Sequence, residues 1–116
     1  MLTTLTAAVF YIRDMAKAKN FYINVLGFEI VRDDGEYVTL KLGKNQGSLL
    51  ALNSQHREFQ VPGKQTISVS SDDVEKDYEN LKKLGINIFD ELTTYSWGKY
   101  FSFEDIDGNH IDVVQR

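Results

Sequence analysis

The chain has 116 residues, 42% of them hydrophobic, no cysteine and a formal net charge of −4 at pH 7. That length suits a single domain able to bury a core without covalent staples. The lack of cysteine excludes disulfides, a thiol nucleophile and thiolate metal sites, and it fits a reducing, cytoplasmic setting. An acidic balance with scattered basic residues argues against a nucleic-acid partner. The first apolar run, Leu5 to Ile12, is too short to span a bilayer, so no membrane role is expected.

In chain order, Leu5 to Arg13 reads as the first strand. Asp14 offers an N-cap to a helix whose apolar residues Met15, Ala18, Phe21, Tyr22, Val25 and Leu26 recur at helical spacing until Gly27 ends the run. Three strands follow: Phe28 to Arg32, Tyr37 to Leu42, and Ser48 to Asn53. Asp34-Gly35 is a hairpin turn between the first two, and Gly43 to Gly47 makes the second turn. Pro62, the single proline, and Gly63 sit near the middle. Beyond them Gln65 to Ser70 alternates apolar and polar residues. Asp72 with Glu75 forms a capping-box pattern, and Val74, Tyr78, Leu81 and Leu84 give the apolar stripe of a second helix before Gly85. Strands at Ile86 to Phe89, Tyr100 to Glu104 and Ile111 to Gln115 complete the chain, the last two joined through an Asp-Gly-Asn turn.

Both halves therefore spell β-α-β-β-β. Their helix stripes superpose at a separation of 59 residues, with Met15 on Val74, Tyr22 on Leu81 and Val25 on Leu84. The expected organisation is one domain over 1–116, built from a module of about 1–60 and a second of about 64–116.

The tandem unit, the Ile12-Arg13-Asp14-Met15 entry to a helix containing Phe21-Tyr22, the Leu26-Gly27-Phe28-Glu29 exit, and Phe103-Glu104-Asp105-Ile106-Asp107-Gly108-Asn109 resemble the vicinal oxygen chelate superfamily. That group includes glyoxalases, extradiol dioxygenases, fosfomycin-resistance enzymes and bleomycin-binding proteins. The resemblance spans nearly the whole chain and implies an α+β fold. Its tandem βαβββ modules would form an incomplete, cup-shaped mixed β-barrel with the helices outside. Ile106 departs from the proline usual at that point, which leaves the turn less preset. Because the fold carries many chemistries, function must be argued from the site.

The resemblance also implies where metal ligands would stand. The first lies seven residues before the Asp that begins the first helix, which is Ala7. The second is Thr66 or, with one residue of slack, Gln65, and the third is Asp112. Alanine has no lone pair to give and threonine is a poor neutral ligand, so only Asp112 is competent. No metal or other cofactor is expected. The alternative is a divalent ion such as Zn, Ni, Fe or Mn, held by Asp112, His110 and Gln65. His110 and Asp112 are two apart and share a strand face, although His110 reads more simply as a hydrogen-bonded residue at the turn mouth. His56 reads as a loop residue. Asp105-Ile106-Asp107-Gly108 brushes a calcium-loop pattern, but its glycine falls too early and the β context is wrong. No catalytic residue is assigned.

Strand alternation assigns faces. If Ala7 faces the cup, so do Val9 and Tyr11, while Ala8, Phe10 and Ile12 pack on the helix. Val38, Leu40 and Leu42 are core, which leaves Tyr37, Thr39 and Lys41 toward the cup. Thr66, Ser68 and Ser70 oppose Ile67 and Val69, and Tyr100, Ser102 and Glu104 oppose Phe101 and Phe103. The lining is thus aromatic, hydroxyl-bearing and acidic. Such a lining suits a small organic ligand that is flat and aromatic or cationic. Ligand contacts are expected at Tyr11, Tyr37, Trp97, Tyr100, Glu104 and Asp112. Trp97-Gly98 resembles the Trp-Gly bordering the drug groove in bleomycin-binding members, and Trp97 could equally pack against a partner subunit or a loop. Exposed edge strands and an aromatic loop at Tyr95 to Trp97 would need cover, so a homodimer is expected.

The favoured reading is a metal-independent protein that sequesters small molecules. Its rivals are a glyoxalase-like lyase or dioxygenase with an atypical metal site, and a non-catalytic dimerisation module.

Overall fold

The structure, a computed structural model, describes residues 1–43 and 49–116. The predicted turn beyond Gly43 and the strand start at Ser48 lie outside the described residues. Among those described, the fold is α+β with two open four-stranded mixed sheets. The chain divides into two compact units, Met1–Pro62 and Gly63–Arg116.

The first unit comprises β1 (Ala8–Tyr11), α1 (Met15–Lys19) continued by a π-helical turn (Asn20–Val25), β2 (Glu29–Asp33), β3 (Tyr37–Lys41) and β4 (Leu49–Asn53). The sheet order is β1-β4-β3-β2, with β1 parallel to β4 and the other pairs antiparallel. Phe10, Ile12, Val38, Leu40, Leu50 and Leu52 alternate onto one buried face. β1 is shorter than the predicted Leu5–Arg13, and Ala8 is exposed rather than packed on the helix.

Asp14 caps α1 as expected, accepting from Lys17 N at 3.1 Å. The helix does not stay α-helical to Leu26, however. The Leu26 amide reaches five residues back to Phe21 O, at 3.0 Å. Consecutive Phe21 and Tyr22 are both buried, and in an α-helix neighbours point about 100° apart. The wider turn swings both inward. Tyr22 then meets Phe10, Phe21 and Phe28 edge-on, with centroids 6.3, 5.4 and 5.5 Å away.

The second unit comprises β5 (Thr66–Ser70), α2 (Val74–Lys83), β6 (Ile88–Tyr95), β7 (Gly98–Glu104) and β8 (His110–Gln115). The order β5-β8-β7-β6, with β5 parallel to β8, repeats the first sheet. Asp73, not Asp72, caps α2, accepting from Lys76 N at 3.2 Å. Gln115 on β8 decides the offset. Its Oε1 accepts from Val74 N at 2.8 Å while its Nε2 donates to Asp72 O at 2.9 Å. Leu84 leaves the apolar stripe and is 62% exposed, because the helix ends at Lys83.

The predicted Ile86–Phe89 strand is in fact β6, Ile88–Tyr95, twice as long. Charged and polar residues at Asp90, Glu91 and Thr94 hide it in sequence. An edge strand with two register shifts tolerates them. The Tyr78 hydroxyl donates to Glu91 and ties this edge to α2. Tyr95 pairs directly with Gly98, so the expected loop at 95–97 is a strand end plus the two-residue turn Ser96-Trp97. At Gly98 a Cβ would stand 2.3 Å from Gln115 O.

The β7–β8 turn is a buried polar clip. Asp105 Oδ1 accepts from the amides of Asp107 (2.9 Å) and Asn109 (2.8 Å), and Oδ2 accepts from Asn109 Nδ2 at 3.0 Å. Asn109 Oδ1 in turn accepts from the amides of Gly63 (3.1 Å) and Gln65 (3.2 Å). The clip delivers β5 into register with β8. Gly63, with φ +84°, passes so close that a Cβ would lie 2.3 Å from Asp107 O. Asn109→Ala strands two amides and a carboxylate oxygen, and should cost about 2–4 kcal/mol in urea unfolding. Gly63→Ala should match or exceed it. A loss below about 1 kcal/mol in both would exclude the clip as the organiser of this unit.

Candidate functional site

In the second unit Phe101, Phe103, Ile111 and Val113 turn toward α2, whose Val74, Tyr78 and Leu81 are buried with them. Tyr78 meets Phe101 at 5.2 Å. With one face committed to the helix, the intervening residues take the other. Register then arranges them in rows across the strands. One row is Asp90 on β6, Ser102 on β7, Asp112 on β8 and Ser68 on β5. Beside it run Thr93, Tyr100, Val114 and Ser70 on one side, and Glu104, His110 and Thr66 on the other.

Tyr100 donates its hydroxyl to Asp90 Oδ2 at 2.5 Å. Its phenol is held well above the usual tyrosine range. Burial is the main cause, followed by the hydrogen bond to Asp90 and the negative charges of Asp112 and Asp90, with Ser102 acting in the opposite sense. Ser102, expected on the open face, points that way but is only 1% exposed. Among the described residues its hydroxyl makes no hydrogen bond of good geometry, although it lies close enough to the Tyr100 oxygen to oppose the rise of that phenol.

Glu104 accepts from Asn87 Nδ2 at 2.9 Å, and its other oxygen lies 3.5 Å from His110 Nε2. The His110 ring rests on Phe89, with centroids 4.1 Å apart, and its amide donates to Gln65 O at 2.9 Å. His110 is thus tied at the turn mouth. Trp97, on the hairpin tip, stacks parallel to Tyr95 at 5.4 Å, with the Arg116 guanidinium 5.8 Å from its ring. In the first unit Tyr11 and Tyr37 flank Asn53 in one row, and the Tyr11 ring meets His56 edge-on at 6.2 Å.

Of the six predicted contacts, Tyr100 and Asp112 converge. Glu104 lies one row away, and Trp97 stands at the far end of the hairpin. Tyr11 and Tyr37 belong to the first unit. Sequence reasoning missed Asp90, because it stopped the strand at Phe89, and it missed Tyr95 as the stacking partner of Trp97.

At the positions where a metal would be held, Ala7 offers no donor, Thr66 a neutral hydroxyl and Asp112 one carboxylate. Gln65 is engaged through its backbone with Asn109 and His110. Among the described residues no three His, Cys, Asp or Glu side chains gather as a metal-holding group. This donor set does not fit a divalent cation.

The Glyoxalase/Bleomycin resistance protein/Dioxygenase superfamily profile matches residues 4–113. The chain belongs to that superfamily. Among solved structures it is similar to TnmS3, an antibiotic-binding protein from a Streptomyces strain, at 25% identity and a TM-score of 0.85, covering 98% of this chain and 96% of that one. It is also similar to a superfamily member from Sphaerobacter thermophilus, at 27% identity and a TM-score of 0.84, with 99% and 98% covered. Among curated proteins it is 24% identical to YetH of Bacillus subtilis, over 94% of this chain and 95% of that one. No helix among the described residues is long and apolar enough to cross a membrane.

The raised Tyr100 phenol has a sign that can be checked. The folded protein keeps this proton where the unfolded chain loses it, so the stabilisation is complete below about pH 10 and fades as pH climbs beyond that. In a spectrophotometric titration of the six tyrosines, Tyr100→Phe should remove one late-ionising step. Ionisation of all six together in the ordinary range would contradict the environment described.

Proposed function

We propose that this protein captures a small organic molecule stoichiometrically, without metal and without bond making. The observation that carries this reading is the polar face of the second sheet. There the position open to a metal ligand holds a lone carboxylate, Asp112, beside an aromatic hydroxyl, a second carboxylate and serines. Such a surface offers hydrogen-bond acceptors and an aromatic edge, and a single carboxylate at the ligand position is a poor seat for a divalent ion. The similarity to an antibiotic-binding protein of nearly equal length supports the same reading. Tyr100 and Asp112 are its central contacts, and Glu104 and Trp97 lie further along the same hairpin. The absence of cysteine fits a cytoplasmic location. The wholly exposed β2, where Ile30 and Val31 are 44% and 50% exposed, supports a homodimer.

Trp97 is the only tryptophan, which makes its fluorescence a clean reporter. Titration with proflavine, a planar aromatic cation, should quench it saturably at one molecule per chain, and the dye should be recovered unchanged. Tyr100→Ala should weaken binding by about three- to thirty-fold, as lost ring and cation contacts imply. Protein purified without chelators that carries near-stoichiometric zinc, nickel, iron or manganese, lost in Asp112→Ala, would replace this reading with a metal-dependent lyase or dioxygenase.

A further inference from the structure

The two units supply an internal control for which side chains the scaffold needs. Matching registers place β3 on β7 and β4 on β8. The first unit's row Arg32, Thr39, Ala51 and Val9 therefore corresponds to Asp90, Ser102, Asp112 and Ser68 in the second. The same ladder closes with a cation at one end and alanine at the Asp112 position. Neither carboxylate is required by the strand pairing.

Both carboxylates stand in one row, and no cation among the described residues is paired with them. Lys99 on the same hairpin is engaged with Glu75. Tyr100 spends its single O–H on Asp90. The row is rich in acceptors and short of donors. Between the two acids lies Ser102, 1% exposed, its hydroxyl unpartnered. A buried hydroxyl is costly to leave unpaired, and this one faces the same side as the acids.

We propose that the Asp90–Ser102–Asp112 row, flanked by Tyr100, is a subsite for a protonated primary amine on the captured molecule. The assignment rests on the capture reading and names the chemical class that it takes. Facing side chains on neighbouring strands stand about 5 Å apart at Cβ. A cation centred above Ser102 therefore comes within reach of both carboxylates. An alkylammonium has three donors on a compact centre, which match Asp90, Asp112 and the Ser102 hydroxyl oxygen. A guanidinium instead favours a two-oxygen fork on one carboxylate, and here Asp90 already has one oxygen committed to Tyr100.

The test compares benzylammonium with benzyl alcohol, its neutral counterpart, by amide chemical-shift titration of the full chain. Benzylammonium should shift the amides of residues 90, 100, 102 and 112 saturably, and benzyl alcohol should bind there about tenfold more weakly or worse. Asp112→Asn and Asp90→Asn keep shape and remove charge. Each should weaken benzylammonium by about tenfold and leave benzyl alcohol unaffected. Ser102→Ala should raise the melting midpoint of the free protein while lowering benzylammonium affinity, a combination that a purely structural serine would not produce. Equal binding of the two probes, or benzylammonium shifts insensitive to both Asn variants, would overturn the ammonium subsite. If proflavine still quenched Trp97 in that event, the capture reading would survive. Loss of proflavine binding with charge-dependent benzylammonium binding intact would have the opposite meaning.

Discussion

Burial of one face of the β7–β8 pair against α2 is the constraint from which the rest of the second unit follows. Phe101, Phe103, Ile111 and Val113 are all nearly inaccessible, and at about 25 cal/mol per Å2 of apolar surface their burial contributes strongly to the stability of this part of the chain. A strand has only two faces, so committing these residues to the helix sends Tyr100, Ser102, Glu104, His110 and Asp112 to the other. A slip of one residue would bury two acids and expose four large apolar side chains. The chemistry of the open face is therefore protected by the packing of the closed one.

The Asp105–Asn109 clip adds the second requirement, which is register across the parallel pair β5–β8. Parallel strands are not joined by a short hairpin, so nothing local sets their alignment. Asn109 does so by receiving the amides of Gly63 and Gln65, which places Ser68 opposite Asp112. Gln115 repeats the device at the other end of β8, where it holds the start of α2. In sequence Asn109 reads as a turn residue and Gln115 as a strand end, yet both act across more than forty positions of the chain.

The two units use the same ladder for different surfaces. The first presents Tyr11, Asn53 and Tyr37 in a row, with Lys41 paired to Glu29 at 3.6 Å. The second presents acids and hydroxyls around one tyrosine. Tyr37 and Tyr100 occupy matching places, so the aromatic position is common to both halves, while Asp90 and Asp112 have Arg32 and Ala51 at their places in the first. The α1 segment diverges as well. Two adjacent aromatics demand a π-helical turn that the smaller α2 stripe of Val74, Tyr78 and Leu81 does not need.

Apolar periodicity, caps and glycine punctuation are local properties. The sequence by itself therefore determined the repeated β-α-β-β-β order, the superfamily, the faces of β3, β7 and β8, and the exclusion of thiol chemistry. Asp14, Val38, Leu40, Phe101 and Phe103 were legible because each answers to its own neighbours. Only the tertiary structure decided the extent of β6, the pairing of Tyr100 with Asp90, the burial of Ser102 and the role of Asn109. Each of these depends on a partner on another strand. Asp90 sits in a run of charged and polar residues that carries no strand period, and it becomes part of the site only when the bulged edge of the sheet brings it opposite Ser102. Cross-strand register is a long-range quantity, fixed by the helix that covers the sheet and by side chains that clip its ends, and no local pattern encodes it.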